Sequence, residues 1–155
     1  MTDGECDIRP AVVGDCVAIV ACVHAAYTKY IVRMGAEPAP MLADYPGLIA
    51  RGVIHVLDER ATGELRGLIV LWPTDEAMFV DNVAVDPRCQ GRGLGRQLLA
   101  FAEQQARSSG LAEVRLYTNE AMTENLAFYA RLGFEETRRR FDDGYNRVFL
   151  RKMLS

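Results

Sequence analysis

The chain has 155 residues, half of them hydrophobic and a quarter charged, the composition of one ordinary globular domain. Its net charge of −3 and sequence pI near 5.4 argue against an electrostatic nucleic-acid binder, and no partner of that kind is expected. The longest apolar run, Val17 to Ala26, is about half of the roughly 20 residues that span a bilayer, so no membrane partner is expected either.

The N-terminus begins Met1-Thr2-Asp3-Gly4-Glu5, acidic where a secretory signal is basic. The expectation is a soluble cytoplasmic protein. Cys6, Cys16, Cys22 and Cys89 contain no Cys-x-x-Cys pair, and His24 and His55 are the only histidines. A zinc cage has poor material here, and no metal is expected. The cysteines read as small buried thiols.

Ile8 to Pro10 reads as a short opening strand stopped by proline. Asp15 is placed to cap a helix whose Ile19, Val20, Val23 and Ala26 recur at helical spacing. From Arg33 to Pro46 the periodicity breaks at Gly35, Pro38, Pro40 and Pro46, with a short helix expected around Leu42 to Ala50. Val53 to Leu57 and Arg66 to Trp72 form strands joined by the polar turn Asp58 to Gly63, a hairpin pattern. Met78 to Val85 is a long strand ending at Asp86-Pro87. After a glycine-rich loop, a helix carries Leu94, Leu98, Phe101 and Ala102 on one face, and Gly110 closes it. Val114 to Tyr117 is a strand and Asn119 to Leu132 a helix closed by Gly133, with Phe134 starting the next strand. Arg147 to Met153 is the last strand, reached through the turn Asp142-Asp143-Gly144. Hairpins and strand–helix–strand crossovers both occur, so an α/β domain with a mixed sheet follows, spanning 1–155 with a core of about 6–153.

The segment that carries chemistry is Val83-Ala84-Val85-Asp86-Pro87-Arg88-Cys89-Gln90-Gly91-Arg92-Gly93-Leu94-Gly95-Arg96. A strand runs straight into glycines that open a helix. The unpaired amides of a helix's first turn, at the positive end of its dipole, bind phosphate oxygens. Glycines allow positive φ and let a phosphate approach with no Cβ in the way. Arg92 and Arg96 add charge, and a pyrophosphate is the natural guest. The spacing is not a Rossmann fingerprint, because Arg96 stands where the third glycine belongs. It is not a P-loop, because no Gly-Lys-Ser/Thr follows. On these residues alone, tight strand–helix packing explains the glycines as an alternative.

Gln90-x-x-Gly93-x-Gly95, after the strand Asn82-Val83-Ala84-Val85-Asp86-Pro87, resembles the cofactor signature of the GNAT superfamily of N-acetyltransferases. Phe128-Tyr129-Ala130-Arg131-Leu132-Gly133-Phe134 resembles that family's Phe-Tyr-x-x-x-Gly-Phe segment, in the expected order and separation. The resemblance covers Ile8 to Met153. It implies a single domain with a mixed, mostly antiparallel central sheet, splayed at the cofactor strand and flanked by about four helices.

The resemblance further implies acetyl-CoA as cosubstrate, with no metal. The pantetheine arm falls on the backbone of Val83 and Val85, and the pyrophosphate on the amides of Gln90, Gly91, Arg92, Gly93, Leu94, Gly95 and Arg96. Tyr129 matches the family tyrosine that protonates the departing thiolate; a core tyrosine is the alternative. Asn125 is a cofactor contact one turn earlier, although the usual family asparagine position holds Met122. Removing a proton from an alkylammonium of pKa about 10.4 at pH 7 costs about 4.6 kcal/mol, so a base is expected. Asp81 stands where several family members carry a base or amine anchor; otherwise it is a polar strand residue. The amide of Val83 would meet the developing oxyanion. Tyr27, Tyr30, Arg33 and the Gly35–Tyr45 loop, with Phe141 to Tyr145 opposite, correspond to the family's acceptor pocket. Arg138-Arg139-Arg140 reads either as an attractor of acidic acceptors or as a solvated strand end, and His55 as structural.

The function implied is transfer of an acetyl group to a small-molecule or peptide amine, by direct attack in a ternary complex. Serine occurs only at 108, 109 and 155, and Cys89 sits in the phosphate loop, so an acyl-enzyme has little support. The alternatives are a non-catalytic acyl-CoA-binding or sensing module and a nucleotide-binding α/β protein. Homodimers are frequent in the family.

Overall fold

A computed structural model describes residues 5–155. The acidic start read for targeting falls mostly at residues 1–4, outside the described residues. The elements run β1 (Cys6–Pro10), α1 (Cys16–Tyr27), α2 (Lys29–Met34), α3 (Tyr45–Ala50), β2 (Ile54–Glu59), β3 (Leu65–Pro73), β4 (Met78–Val85), α4 (Leu94–Ser108), β5 (Glu113–Asn119), α5 (Thr123–Arg131), β6 (Glu135–Asp142) and β7 (Tyr145–Met153). Short 3-10 turns stand at Val13–Asp15, Ala39–Leu42 and Pro87–Cys89. The strands form one open sheet in the order β1-β2-β3-β4-β5-β7-β6. β4 and β5 run parallel, and β1–β2, β2–β3, β5–β7 and β6–β7 antiparallel.

The chain divides into two compact units. The first takes the chain up to Leu71 together with Asn82–Leu99. Its β3 carries the apolar run Leu68–Leu71 and its β2 the apolar residues Ile54, Val56 and Leu57, and Ile54, Val56, Leu57, Leu68, Ile69 and Val70 are all fully buried. Burial of successive residues means that both faces of these strands are covered, unlike an alternating strand with one wet face. Gly67 of β3 is where the second half of β4 comes closest: a Cβ there would meet the Ala84 carbonyl at 2.9 Å and Leu98 at 3.3 Å.

The second unit takes Trp72–Asp81 with Ala100–Ser155. Here β4 pairs with β5 over Met78–Val80 and Val114–Leu116, and β4 runs on beyond that ladder to Val85. β5 lies against β7 from Glu113↔Met153 to Asn119↔Arg147. One face of β5 and β7 carries buried Val114, Leu116, Val148 and Leu150, and Lys152 reaches Glu103 of α4 at 2.8 Å. The other face carries Arg115, Tyr117, Phe149 and Arg151, each at least partly exposed.

Several boundaries differ from the sequence reading, each for a local reason. Asp15 stands at the α1 N-cap position, but its carboxylate does not cap the helix. It accepts from the Val12 amide at 2.8 Å and from Arg9 at 2.8 and 2.9 Å. The segment from Arg33 is more ordered than a loop. It holds the end of α2 and a 3-10 turn, and α3 starts at Tyr45 because the Asp44 carboxylate accepts from the Gly47 amide at 3.2 Å. Asn119 belongs to β5, not to α5: its side chain accepts from the Ala121 amide at 2.9 Å and turns the chain, which delays α5 to Thr123.

Candidate active site

The glycine segment folds as its residue types require. Asp86 ends β4, and its carboxylate accepts from the Arg88 amide at 3.0 Å, closing the 3-10 turn Pro87–Cys89. Gly91 and Gly93 have φ of +83° and +78°, and a Cβ on either would meet nothing within 4 Å. Glycine is needed there for backbone conformation, which costs an L-residue about 1–2 kcal/mol. The first α4 bond runs from the Gln97 amide to the Gly93 carbonyl at 3.0 Å. Leu94, Gly95 and Arg96 therefore supply first-turn amides with no intrahelical partner. Leu94 is buried and anchors the helix start, whereas Gln90, Gly91, Arg92, Gly93 and Arg96 are exposed.

Arg92 is engaged. Its guanidinium donates to Glu59 of β2 at 2.9 Å and to the Cys89 sulfur at 3.4 Å. Arg66 donates to the other Glu59 oxygen at 2.9 Å and lies 3.7 Å from Asp86. Glu59 is buried, and hydrogen bonds from Arg92 and then Arg66 pull its carboxyl down from 4.5 to about 2. The loop is thus tied to β2 and β3 by a carboxylate that stays ionised.

The part of β4 in the same unit is held by buried phenols. Tyr27 of α1 donates to the Asn82 side-chain oxygen at 2.7 Å and to the Val83 carbonyl at 3.0 Å. The Asn82 amide donates to the Tyr45 hydroxyl at 3.1 Å, and Tyr45 donates to the Pro40 carbonyl at 2.5 Å. Tyr27 and Tyr30 are both buried, with rings 6.3 Å apart. Lys29 and Arg33 lie over the Tyr30 ring at 5.0 and 5.2 Å. Tyr27 therefore meets β4, and Lys29 and Arg33 are the exposed members of this group.

In the second unit, the Phe-Tyr-x-x-x-Gly-Phe segment has a specific physical identity. The Gly133 amide bonds to the Ala130 carbonyl at 3.1 Å, and the Phe134 amide to the Tyr129 carbonyl at 3.0 Å. Gly133 has φ of +96°, and the Tyr129 and Phe134 rings pack edge to face at 5.7 Å. This is a Schellman helix stop with its hydrophobic contact, and Tyr129 is the residue it pins. Tyr129 is buried between Phe128 and Phe134. Asn125 is half-buried, and its amide lies 3.5 Å from the Met122 sulfur, which also accepts from the Thr118 hydroxyl at 3.4 Å. Met122, standing at the family's asparagine position, thus joins the start of α5 to β5.

Asp81 and Phe79 point to one face of β4 by strand alternation. Tyr117 of β5 lies on that face, stacked on Phe79 at 5.8 Å. Burial raises the Tyr117 phenol above 10, and the nearby Asp81 carboxylate, to which it hydrogen-bonds, raises it further. Arg147 sits 4.4 Å over the Tyr117 ring. Tyr117 was not singled out in the sequence; its parity within the β5 strand was the available signal. Among the described residues, no group of three or more His, Cys, Asp or Glu side chains is placed to hold a metal ion. No helix among them is long and apolar enough to cross a membrane.

The model of the acetyltransferase (GNAT) family matches residues 24–134, which include the glycine loop and the helix stop at Gly133. The chain belongs to the acetyltransferase (GNAT) family. This GNAT chain is 46% identical over 52 residues to a mycothiol acetyltransferase of Streptosporangium roseum, a match covering 34% of the chain and 15% of that protein. It is 36% identical over 62 residues to the aminoalkylphosphonate N-acetyltransferase of Salmonella typhimurium, covering 40% of each. The chain therefore matches less than half the length of these curated relatives. The PaiA N-acetyltransferase of Thermoplasma acidophilum, solved in complex with coenzyme A, shares the fold with a TM-score of 0.77 at 18% identity, over 96% of this chain and 99% of that one. Its likeness is one of fold.

Proposed function

We propose that the chain is a single N-acetyltransferase domain that moves an acetyl group from acetyl-CoA to a primary amine, by direct attack of the amine. The observation that carries this reading is the glycine loop. In a chain of this family, Gly91 and Gly93 adopt positive φ and deliver the first-turn amides of α4 to the end of the long strand β4. When bound, acetyl-CoA supplies an activated acyl group.

In this reading the amides from Gln90 through Arg96 hold the pyrophosphate, and the backbone of Val83 and Val85 holds the pantetheine arm. The Val83 carbonyl already accepts from Tyr27, so this residue contributes through its N–H. Tyr129 is the acid that protonates the leaving thiolate, a phenol being protonated at pH 7. Asp81 receives or orients the amine, and Tyr117 orients Asp81. The names of the two curated relatives refer to mycothiol and aminoalkylphosphonate, which supports a small-molecule acceptor.

The test is release of free thiol from acetyl-CoA in the presence and absence of a panel of primary amines. Amine-dependent release is expected. A sensing module would bind acetyl-CoA and release nothing with any amine. A nucleotide-binding protein would be stabilised by ATP or NAD and not by acetyl-CoA.

A further inference from the structure

The second unit carries an open sheet face of which the acetyl-transfer reading uses only Asp81 and Tyr117. Rings run across four strands on it: Trp72 to Phe79 at 5.2 Å, Phe79 to Tyr117 at 5.8 Å and Tyr117 to Phe149 at 5.8 Å. A cavity of about 390 Å³ opens on this face, lined among others by Phe79, Arg115, Thr137, Arg138, Phe149 and Arg151. That volume lies within the range of about 300–1,000 Å³ usual for small-molecule sites.

The arginines here are not equivalent. Arg115 pairs with Glu113, and with Glu76 at 2.8 Å. Arg151 pairs with Glu135 at 3.0 Å, and Arg140 and Arg147 share Asp142 at 2.9 and 3.2 Å. Among the described residues no carboxylate pairs with Arg138. Its guanidinium lies 4.7 Å over the Phe149 ring, which orients it without using its hydrogen-bond donors. A register shift between Glu136 and Arg138 sets Arg138 opposite Phe149, on the cavity face.

Asp81 lies on this same face, next to Tyr117. From β4 across β5 to Phe149 of β7, over whose ring the Arg138 guanidinium of β6 lies, is two strand spacings, about 10 Å. We propose that the cavity is the distal subsite of the acceptor, taking an amine whose far end carries a carboxylate or phosphoryl group about 10 Å from the nitrogen. Arg138 binds the anion in a planar fork, Phe79, Tyr117 and Phe149 support the apolar body between, and Asp81 meets the amine. The inference rests on Asp81 marking the amine end, as proposed above. The separation is too long for a simple α-amino acid and fits an ω-amino acid or a short acidic peptide.

The test compares ω-amino acids of increasing chain length, each with its uncharged amide, and short peptides with an aspartate beside their asparagine counterparts, in the thiol-release assay. At the matching length the acid is expected to show a KM about two- to fivefold below that of its amide, with kcat shared, in the range of one exposed ion pair. Arg138→Gln is expected to erase that advantage, so that the acid and its amide react with equal kcat/KM. Arg138→Lys should restore part of it, and Arg131→Gln, at an exposed position on α5, should leave it whole. Preference for the peptide or the free amino-acid series identifies the source of the anion, either being consistent with the subsite. If acids and amides react equally at every length, or the preference survives Arg138→Gln, the subsite is wrong while acetyl transfer stands. If no amine releases thiol, transfer fails and the subsite fails with it.

Discussion

The glycine loop and the sheet face of β5, β7 and β6 both present arginines, but the two regions hold them differently. In the loop, Arg92 is fixed to buried Glu59, which Arg66 also clamps, so the charge is part of the scaffold. On the face, Arg138 rests on an aromatic ring. In the proposed reading the loop makes its binding groups from backbone, through positive-φ glycines and helix-start amides, and its side chains brace that backbone. The proposed acceptor face makes its binding groups from side chains on a partly exposed strand surface. A backbone-built site accepts one chemistry wherever the motif occurs, whereas a side-chain-built site changes with each substitution.

The sharpest way to separate the regions is to remove the proposed acid. Tyr129→Phe is expected to lower kcat by about 10²–10⁴, the usual contribution of a general acid, while acetyl-CoA affinity is unchanged. An unchanged kcat would return Tyr129 to a purely core role. Next in size is the ligand effect on the loop. Acetyl-CoA at 100 times its dissociation constant should add about 2.7 kcal/mol of stability, measured by denaturant titration. Gly93→Val should abolish this gain, because a β-branched residue resists a φ of +78°. An Arg138 variant should keep the gain, since the proposed donor site is built from the loop and not from the face.

Gly133→Ala should cost about 1–2 kcal/mol, because φ there is +96° and an L-residue would strain the Schellman stop at Tyr129. Comparing its unfolding curve with that of the parent checks this, and kcat should fall as Tyr129 shifts. A smaller, pH-dependent effect is expected at Glu59. Its folded-state value of about 2 lies below the ordinary 4.5, so its contribution is complete above 4.5 and is lost as pH falls toward 2. Melting temperatures measured down that window should decline, and Glu59→Gln should flatten part of the decline. Smallest of all, Cys89→Ala should leave activity largely intact. Near-total loss would replace direct attack by an acyl-enzyme route.

How much of this was legible in the sequence depended on what kind of residue made each feature. The strand–loop–helix from Met78 to Ser108 was readable because Pro87, Gly91, Gly93 and Gly110 punctuate it and the apolar residues of α4 keep one period. The helix stop at Gly133 was readable for the same reason. α2 was missed because a break at Arg33 looks like loop onset, although the helix ends one residue later with Gly35 at φ +70°. The α5 start was misplaced because Asn119 spends its side chain on a turn. The partnership of Tyr117 with Asp81 depends on strands 36 residues apart in sequence meeting in register, which no local pattern encodes. The phase of β6 was equally hidden: Glu135 to Arg140 is polar on both faces, so no apolar alternation marks which side is which.

That hidden phase has a consequence for how such a protein could change its diet. Glu136 pairs with Leu150 and Arg138 with Phe149, so Thr137 is a supernumerary residue in an edge strand. Removing it would close the bulge, so that Glu136↔Leu150 is followed directly by Arg138↔Phe149, and Arg138 and Arg140 would stay on the cavity face. The rim can therefore lose one codon at the bulge without inverting the proposed acceptor face. Substitution at Arg138 is left as the shorter route to a different acceptor, with every glycine, amide and carboxylate of the donor loop as it was.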